Sequence, residues 1–174
     1  SARIPIKTVG CVLVQLRTEG GDTGEGFVYT MRGRHMAPLK ATIDSLGELL
    51  IGQDCSAPEA LWEKLWKEIY FFGFTGLAVM AISALDTATW DAHAKRLGQP
   101  LDALWGRHSS KLPAYASQGL WADLGPDELA REAEGYVKAG WQAMKMRTGR
   151  PDIAEDVRCV QAVREAIGEK VALM

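Results

Sequence analysis

Residues 141–147 are predicted to form a short β-strand between two amphipathic helices, and this strand carries two cations. Side chains alternate between the two faces of a strand, so Lys145 and Arg147 share one face while Met144 and Met146 share the other. The methionines suit a layer of covering helices, which sends both cations to the opposite, interior side. Neighbouring cations repel each other and lose hydration there. We interpret the pair as a receptor for a carboxylate; the alternative is a strand end exposed to solvent.

This strand belongs to a regular alternation of strands and helices in the C-terminal part of the chain. Strands are predicted at 112–117, 141–147 and 170–174, and helices at 126–139 and 152–167. Such an order with short links predicts a parallel sheet. The link 118–125 lacks a GxGxxG motif, which disfavours a dinucleotide-binding fold, and its length is typical of a functional loop. An eight-stranded barrel of this kind needs about 250 residues by itself, so we expect a longer protein, truncated here at both ends.

The N-terminal part predicts a β-hairpin followed by three helices. Strands are predicted at 12–18 and 27–31, on either side of a glycine-rich turn at 19–24. A strand rather than a helix follows these glycines, so a phosphate-binding loop is disfavoured. The helices are predicted at 37–50, after Ser56, and at 76–97, and Gly98 is expected to end the third. Ser56 and Glu59 match a capping box, and the small residues of the third helix are expected to allow close packing against neighbouring helices.

Composition excludes several classes of protein. The chain is 47% hydrophobic and carries a net charge of −2, so it can build a core but lacks the basic stripe of a nucleic-acid-binding protein. The longest apolar stretch, residues 77–90, contains Asp86 and is too short to span a bilayer, so no membrane partner is expected. Three widely spaced cysteines with no CxxC motif indicate unpaired thiols of a reducing compartment, which predicts a cytoplasmic protein.

The order of these elements resembles the mandelate racemase and muconate lactonizing enzyme branch of the enolase superfamily. The resemblance covers nearly the whole chain, and an ordered set of motifs carries it: Gly24-Glu25-Gly26, Ala84-Leu85-Asp86-Thr87-Ala88-Thr89-Trp90-Asp91, residues 100–106, residues 113–117 and Lys145-Met146-Arg147. It implies an α+β capping domain over residues 1–106. The first βαβαβ portion of a (β/α) TIM-type barrel is expected to follow over residues 107–174.

The resemblance also implies a reaction. In this family a Mg²⁺ ion holds the substrate carboxylate, and a base removes the proton α to it, which gives an enediolate. The second barrel strand usually carries Lys-x-Lys, whose first lysine lies beside the carboxylate and whose second is a base on one face. By this match Lys145 takes the carboxylate-side role and Arg147 takes the position of the base.

Arg147 departs from the family pattern. A guanidinium stays protonated at ordinary pH, so it is a poor general base but a good bidentate ligand for an oxyanion. This weakens a two-base racemase and favours proton abstraction on a single face by a base on another strand. The expected activity is that of an acid-sugar dehydratase, a lyase. The alternatives are a racemase, epimerase or cycloisomerase of the same superfamily, and a non-catalytic binding protein on this fold.

Other residues are expected to contact the substrate because the family places the loop after this hairpin over the barrel mouth. Tyr29 matches a substrate-facing tyrosine of the family, and Phe27 and His35 lie near it in the sequence. Ser117, at the end of the first barrel strand, is expected to hydrogen-bond the carboxylate. For Arg32 and Arg34, an ordinary solvated loop is an equal alternative. Residues 3–9 resemble the trailing end of a mobile specificity loop.

No metal ligand is assigned within these 174 residues. The family's acidic ligands lie at the ends of the third to fifth barrel strands, so they are expected beyond Met174. Asp86 and Asp91 are interpreted as structural, hydrogen-bonded residues, and His93 and His108 lack metal-ligand spacing. The piece alone is therefore expected to be inactive and to bind no Mg²⁺. The resemblance further implies a small carboxylate or acid-sugar substrate and a homo-oligomer.

Overall fold

A computed structural model describes residues 8–31 and 33–174 of the chain. They form two compact units, one that ends at His108 and one that comprises Ser109–Met174. The predictions made for residues 3–7 and for Arg32 lie outside the described residues.

The first unit begins with the predicted antiparallel hairpin, β1 (Gly10–Arg17) and β2 (Thr23–Thr30). The second strand starts four residues earlier than we predicted, because the turn is tighter than its glycine content indicates. The Thr18 N–H donates to the Asp22 carbonyl at 2.9 Å, and Gly21 takes a φ of 90° between them. The predicted turn residue Gly24 therefore lies inside β2.

Three main helices follow the hairpin: α1 (Met36–Gly47), α2 (Pro58–Glu68) and α3 (Leu77–Leu97), with a short α4 at Leu101–Leu104. Gly98 ends α3 in the left-handed conformation, as predicted. The prediction of a capping box at Ser56 is wrong. The Ser56 hydroxyl donates to Asp54 at 2.7 Å, and α2 begins at Pro58 without a side-chain cap. A nearby carboxylate thus takes the hydroxyl that the helix end was expected to use.

The small residues of α3 allow this helix to pack closely against β2 as well as against the other helices of the unit. Gly24 and Gly26 of β2 lie directly on the α3 backbone, and a Cβ on Gly26 would come within 2.9 Å of the Ala88 nitrogen. The small side chains that make this approach possible are buried: Ala81, Ala84, Ala88 and Ala92. Behind them the core of the unit is aliphatic, with Leu39, Leu65, Ile69 and Ile82 almost inaccessible. No described helix, including the 21-residue α3, has the sustained apolar character that crossing a bilayer requires.

The second unit contains the predicted parallel pairing. Strand β3 (Ala143–Met144) pairs in parallel with β4 (Ala172–Leu173), and Ala116 forms a parallel bridge to Met144 on the other side. Only Ala116 of the predicted strand 112–117 pairs, as an isolated bridge, and the predicted strands 141–147 and 170–174 are reduced to two residues each. Hydrogen bonds to neighbouring segments nevertheless continue to Met146 and Arg147. Helices α5 (Pro126–Lys138) and α6 (Ile153–Ile167) agree with the predicted helices to within a residue. The fold class is confirmed: a capping unit with a hairpin and helices, then a parallel βαβ arrangement.

Candidate functional site

The two faces of the strand around β3 differ as the alternation predicts. Met144 and Met146 are buried in the core that α5 and α6 cover, with 0% and 7% of their surface exposed. Lys145 and Arg147 are half-buried and, since side chains alternate, lie on the opposite face. Both cations are therefore held on the sheet face that these helices do not cover.

Ser117 lies on the same face of the sheet. Ala116 pairs with Met144 and is buried with it, so its neighbours Tyr115 and Ser117 lie on the face of Lys145. The Lys145 N–H donates to the Ala116 carbonyl at 2.9 Å, which fixes the register of the two segments. The structure thus places on one face three residues that the sequence proposed separately: Lys145, Arg147 and Ser117.

Each cation lies over an aromatic ring. The Lys145 ammonium nitrogen is 5.7 Å from the centre of the Tyr115 ring, and the Arg147 guanidinium carbon is 5.1 Å from that of Trp121. Such contacts attract a cation to the negative face of the ring, and they leave its N–H groups available. No carboxylate of the described residues forms an ion pair with either cation. Two available cations side by side can bind a carboxylate or another oxyanion.

Sequence reasoning missed both aromatic residues. Tyr115 had a signal, because it is two residues before Ser117 on a predicted strand and therefore shares its face. Trp121 had only its place in the loop 118–125, for which a function was predicted but no residue was named. Its contact with Arg147 depends on the path of that loop, which no periodicity in the sequence encodes.

The loop is held by α5 at Gln118 and Leu120. The Leu120 N–H donates to Glu132 Oε2 at 2.9 Å, and the Tyr136 hydroxyl donates to the Gln118 carbonyl. Burial, and then the charge of Glu132, raise the pKa of Tyr136, so its hydroxyl remains a donor. On its other side Leu120 accepts a hydrogen bond of 2.9 Å from the Arg147 N–H. The loop therefore connects α5 to the strand end that carries Arg147.

A second connection uses Arg150, which sequence reasoning also missed. Its side chain is buried, and its guanidinium donates to Asp156 Oδ1 and to the Leu124 carbonyl, both at 2.8 Å. Hydrogen bonds from the Arg150 side chain and the Gly149 N–H hold the pKa of Asp156 below its usual range. Arg150 thus ties the end of the loop to the start of α6.

The remaining predicted substrate contacts belong to the first unit. Phe27 and Tyr29 are two residues apart on β2 and lie on its exposed face, with 61% and 50% of their surface accessible. Gly24 and Gly26 occupy the opposite face, against α3. His35 is exposed in the short turn that precedes α1. These three side chains are accessible to a ligand, and their role in binding remains a prediction.

The described residues do not supply a metal site. No group of three or more His, Cys, Asp or Glu side chains within 8–31 and 33–174 is arranged to hold an ion. Asp91 is structural as predicted, since its carboxylate accepts hydrogen bonds from the Glu25 N–H at 2.8 Å and from Lys95 at 2.6 Å. Burial, and then the charge of Glu59, raise the pKa of Asp86.

Two family profiles match the chain. The profile described as "Mandelate racemase / muconate lactonizing enzyme, N-terminal domain" matches residues 2–106. The one described as "Enolase C-terminal domain-like" matches residues 128–174.

Individual relatives agree with these profiles. The chain is 34% identical to a 3,6-anhydro-alpha-L-galactonate cycloisomerase of Streptomyces coelicolor, over 94% of its own length and 45% of the relative's. It is 32% identical to an L-talarate/galactarate dehydratase of Salmonella typhimurium, over 98% and 42% respectively. The chain thus spans less than half the length of these curated relatives.

A solved structure extends the similarity to three dimensions. The L-talarate dehydratase of Polaromonas sp. JS666, crystallised with Mg and L-glucarate, superposes with a TM-score of 0.89 at 33% identity. The match covers 98% of this chain and 48% of that one.

Proposed function

The chain belongs to the mandelate racemase and muconate lactonizing enzyme family of the enolase superfamily, and from this we propose that it is part of a Mg²⁺-dependent acid-sugar dehydratase. The observation that carries the proposal is the pair Lys145 and Arg147, half-buried on one sheet face and free of ion pairs with the described carboxylates. Such a pair suits a substrate that brings its own negative charge.

The two cations are assigned different roles. Lys145 binds the carboxylate end of the substrate, where a compact ammonium can approach one oxygen closely. Arg147 presents a planar guanidinium, which can bind an oxyanion through two parallel N–H groups and does not release a proton at neutral pH. Arg147 is therefore a binding group, and we assign the general base to residues that the described part of the chain does not contain.

Loss of water from the substrate follows from abstraction of a single proton. The base takes the α proton, the electron pair forms a double bond to the β carbon, and the β hydroxyl leaves as water after it accepts a proton. The resulting enol becomes a 2-keto-3-deoxy acid. Lys145 stabilises the negative charge that develops on the carboxylate oxygens before the hydroxyl leaves, and Arg147 holds the anionic substrate in place.

Support for Mg²⁺ comes from relatives and not from ligands in this chain. Similar structures contain bound magnesium, whereas the described residues have no suitable cluster of ligands. We therefore propose that the ligands lie outside the described residues.

The test is a screen of the full-length protein against a panel of acid sugars with Mg²⁺ in D2O. Formation of a 2-keto-3-deoxy acid with loss of water supports the proposal. Exchange of the α proton on both faces without dehydration would contradict it and indicate a racemase or epimerase. A product of unchanged mass would favour a cycloisomerase, which the relative of that name makes the second candidate. Binding without turnover of any acid would indicate a non-catalytic protein.

Two properties of the whole protein complete the proposal. We propose a cytoplasmic location, because Cys11, Cys55 and Cys159 are all unpaired, as thiols of a reducing compartment are. We also propose a homo-oligomer on the strength of the family alone. Fractionation of cells and sedimentation of the full-length protein, respectively, test these two statements.

A further inference from the structure

We propose that Glu132 and Tyr136 of α5 are positioning residues. They hold the loop 118–125 so that Trp121 supports the Arg147 guanidinium. The inference rests on the proposed function, in which Arg147 binds the anionic substrate. Neither residue shares a sheet face with the cations, so their effect has to pass through the loop.

The loop is shaped around these two side chains. A Cβ on Gly119 would overlap Glu132 Oε1 and lie 2.5 Å from the Tyr136 hydroxyl oxygen, so a larger residue there would displace both groups. Gly119 also has a φ of 82°, which L-residues rarely adopt. The carboxylate and the hydroxyl are 3.2 Å apart and bond to the loop at Leu120 and Gln118 respectively.

Leu120 transmits this constraint to the strand. Its φ of 47° is unusual for a residue with a side chain, and such conformations persist where the surroundings determine them strongly. Here the Leu120 side chain is fully buried, its N–H is bonded to Glu132, and its carbonyl accepts from the Arg147 N–H. The backbone on both sides of Trp121 is fixed as well, because Arg150 binds the Leu124 carbonyl.

The consequence for Arg147 is a restricted guanidinium. Trp121 is 51% exposed and has little burial of its own to hold its ring, so its place over Arg147 depends on the loop backbone. A long arginine side chain loses rotamer freedom when it binds a ligand, and a preformed contact with Trp121 reduces that loss. Lys145 rests on Tyr115 instead, outside this loop, so loosening the loop is expected to affect Arg147 and to spare Lys145.

The experiment uses full-length protein labelled with 5-fluorotryptophan and ¹⁹F NMR. The chain has six tryptophans, and the Trp121 signal is identified by its loss in Trp121→Phe. Glu132→Ala is expected to shift and broaden that signal alone. Glu132→Gln, which keeps an acceptor for the Leu120 N–H, should restore it. Glu134→Ala is the matched control, since Glu134 lies on the same helix and its one ion pair with the described residues, to Lys138, is exposed.

Kinetics provide the second readout. Glu132→Ala is expected to raise KM for the acid sugar about 3- to 30-fold, the range of a cation–π contact, with a smaller change in kcat. An unchanged Trp121 signal in Glu132→Ala would overturn the inference whatever the activity. A shifted signal with an unchanged KM would overturn it too, because the loop would then not serve Arg147. The NMR result requires no turnover, so a failure of the proposed function is recognised separately, by the absence of any product from wild-type protein.

Discussion

The α-carbon of Gly26 lies against the carbonyl oxygen of Ala84 so closely that a β-carbon on residue 26 would overlap it. The hairpin and α3 are thus in backbone contact, and Gly24 makes the same approach to Ala88. A backbone atom cannot move aside as a flexible side chain can. The glycines of the Gly24-Glu25-Gly26 motif are therefore required by packing and not by a turn.

Replacing Gly26 with alanine is expected to destabilise the first unit by about 3 kcal/mol or more, because overpacking against backbone forces β2 away from α3. Urea unfolding measures the loss. Gly20→Ala is the control, since the nearest atom to its Cβ is 3.7 Å away, and it should change stability by no more than about 0.5 kcal/mol. Equal stability of the two variants would contradict the packing argument.

Asp91→Asn is expected to weaken the contact between α3 and β2 in a pH-dependent manner. Burial alone raises the Asp91 pKa, but hydrogen bonds from Lys95 and the Glu25 N–H outweigh it and lower the pKa below its ordinary value. The stabilisation by the carboxylate is therefore complete above the unfolded pKa of about 4 and is lost as the pH falls towards the lower folded value.

At pH 7 we expect Asp91→Asn to lower the free energy of unfolding by about 1–2 kcal/mol, the lower part of the range for hydrogen bonds to charged groups, because Asn keeps one oxygen acceptor. The difference in free energy of unfolding between wild type and variant should become smaller below about pH 4, and urea unfolding at pH 7, 5 and 3.5 measures it. A difference independent of pH would argue against a role for the charge. Glu19→Gln, in the exposed turn of the hairpin, serves as the control for loss of one negative charge.

Lys145→Met in the full-length protein is expected to reduce kcat/KM for an acid sugar by about 100-fold or more, because it removes a cation from developing negative charge in a partly desolvated site. Turnover of the wild type and the variant is compared at saturating Mg²⁺. The matched control is Lys138→Met, whose side chain is 79% exposed on α5. Unchanged turnover of Lys145→Met would remove this residue from the proposed site.

Substitutions of Arg147 test whether this residue is a binding group or a general base. Arg147→Met is expected to raise KM more than it lowers kcat, since the guanidinium binds the anion and moves no proton. Arg147→Lys keeps the charge but loses the bidentate geometry, so only part of the affinity should return. Exchange of the α proton on both faces in D2O should be absent from wild type, and its presence there would contradict the single-face mechanism.

Removal of Mg²⁺ from the full-length protein with EDTA is expected to abolish turnover, and added Mg²⁺ should restore it. The 174-residue chain by itself is expected to give no binding isotherm with Mg²⁺, because its described residues lack a ligand cluster. Calorimetry of both proteins in the same buffer tests the pair of statements. Tight stoichiometric binding by the short chain would place the metal site within it.

Much of the architecture was predictable because it depends on local periodicity. The alternation of Met144 and Met146 with Lys145 and Arg147 indicates which face of this strand packs against the helices. The end of α3 was also predictable from local sequence, because Gly98 adopts the left-handed conformation that its lack of a side chain favours. The prediction of a capping box was wrong because the Ser56 hydroxyl donates to Asp54, a residue that the capping-box motif does not include.

By itself, the sequence determined the order of elements, the two faces of the central strand and the charge that the site presents, since each follows from residues close together in the chain. Only the tertiary structure decided that Trp121 lies over Arg147, that Glu132 holds the loop between them, and that Gly26 touches Ala84. Those contacts join residues 12 to 58 positions apart, and the path of the backbone that brings them together is set by packing of the whole unit.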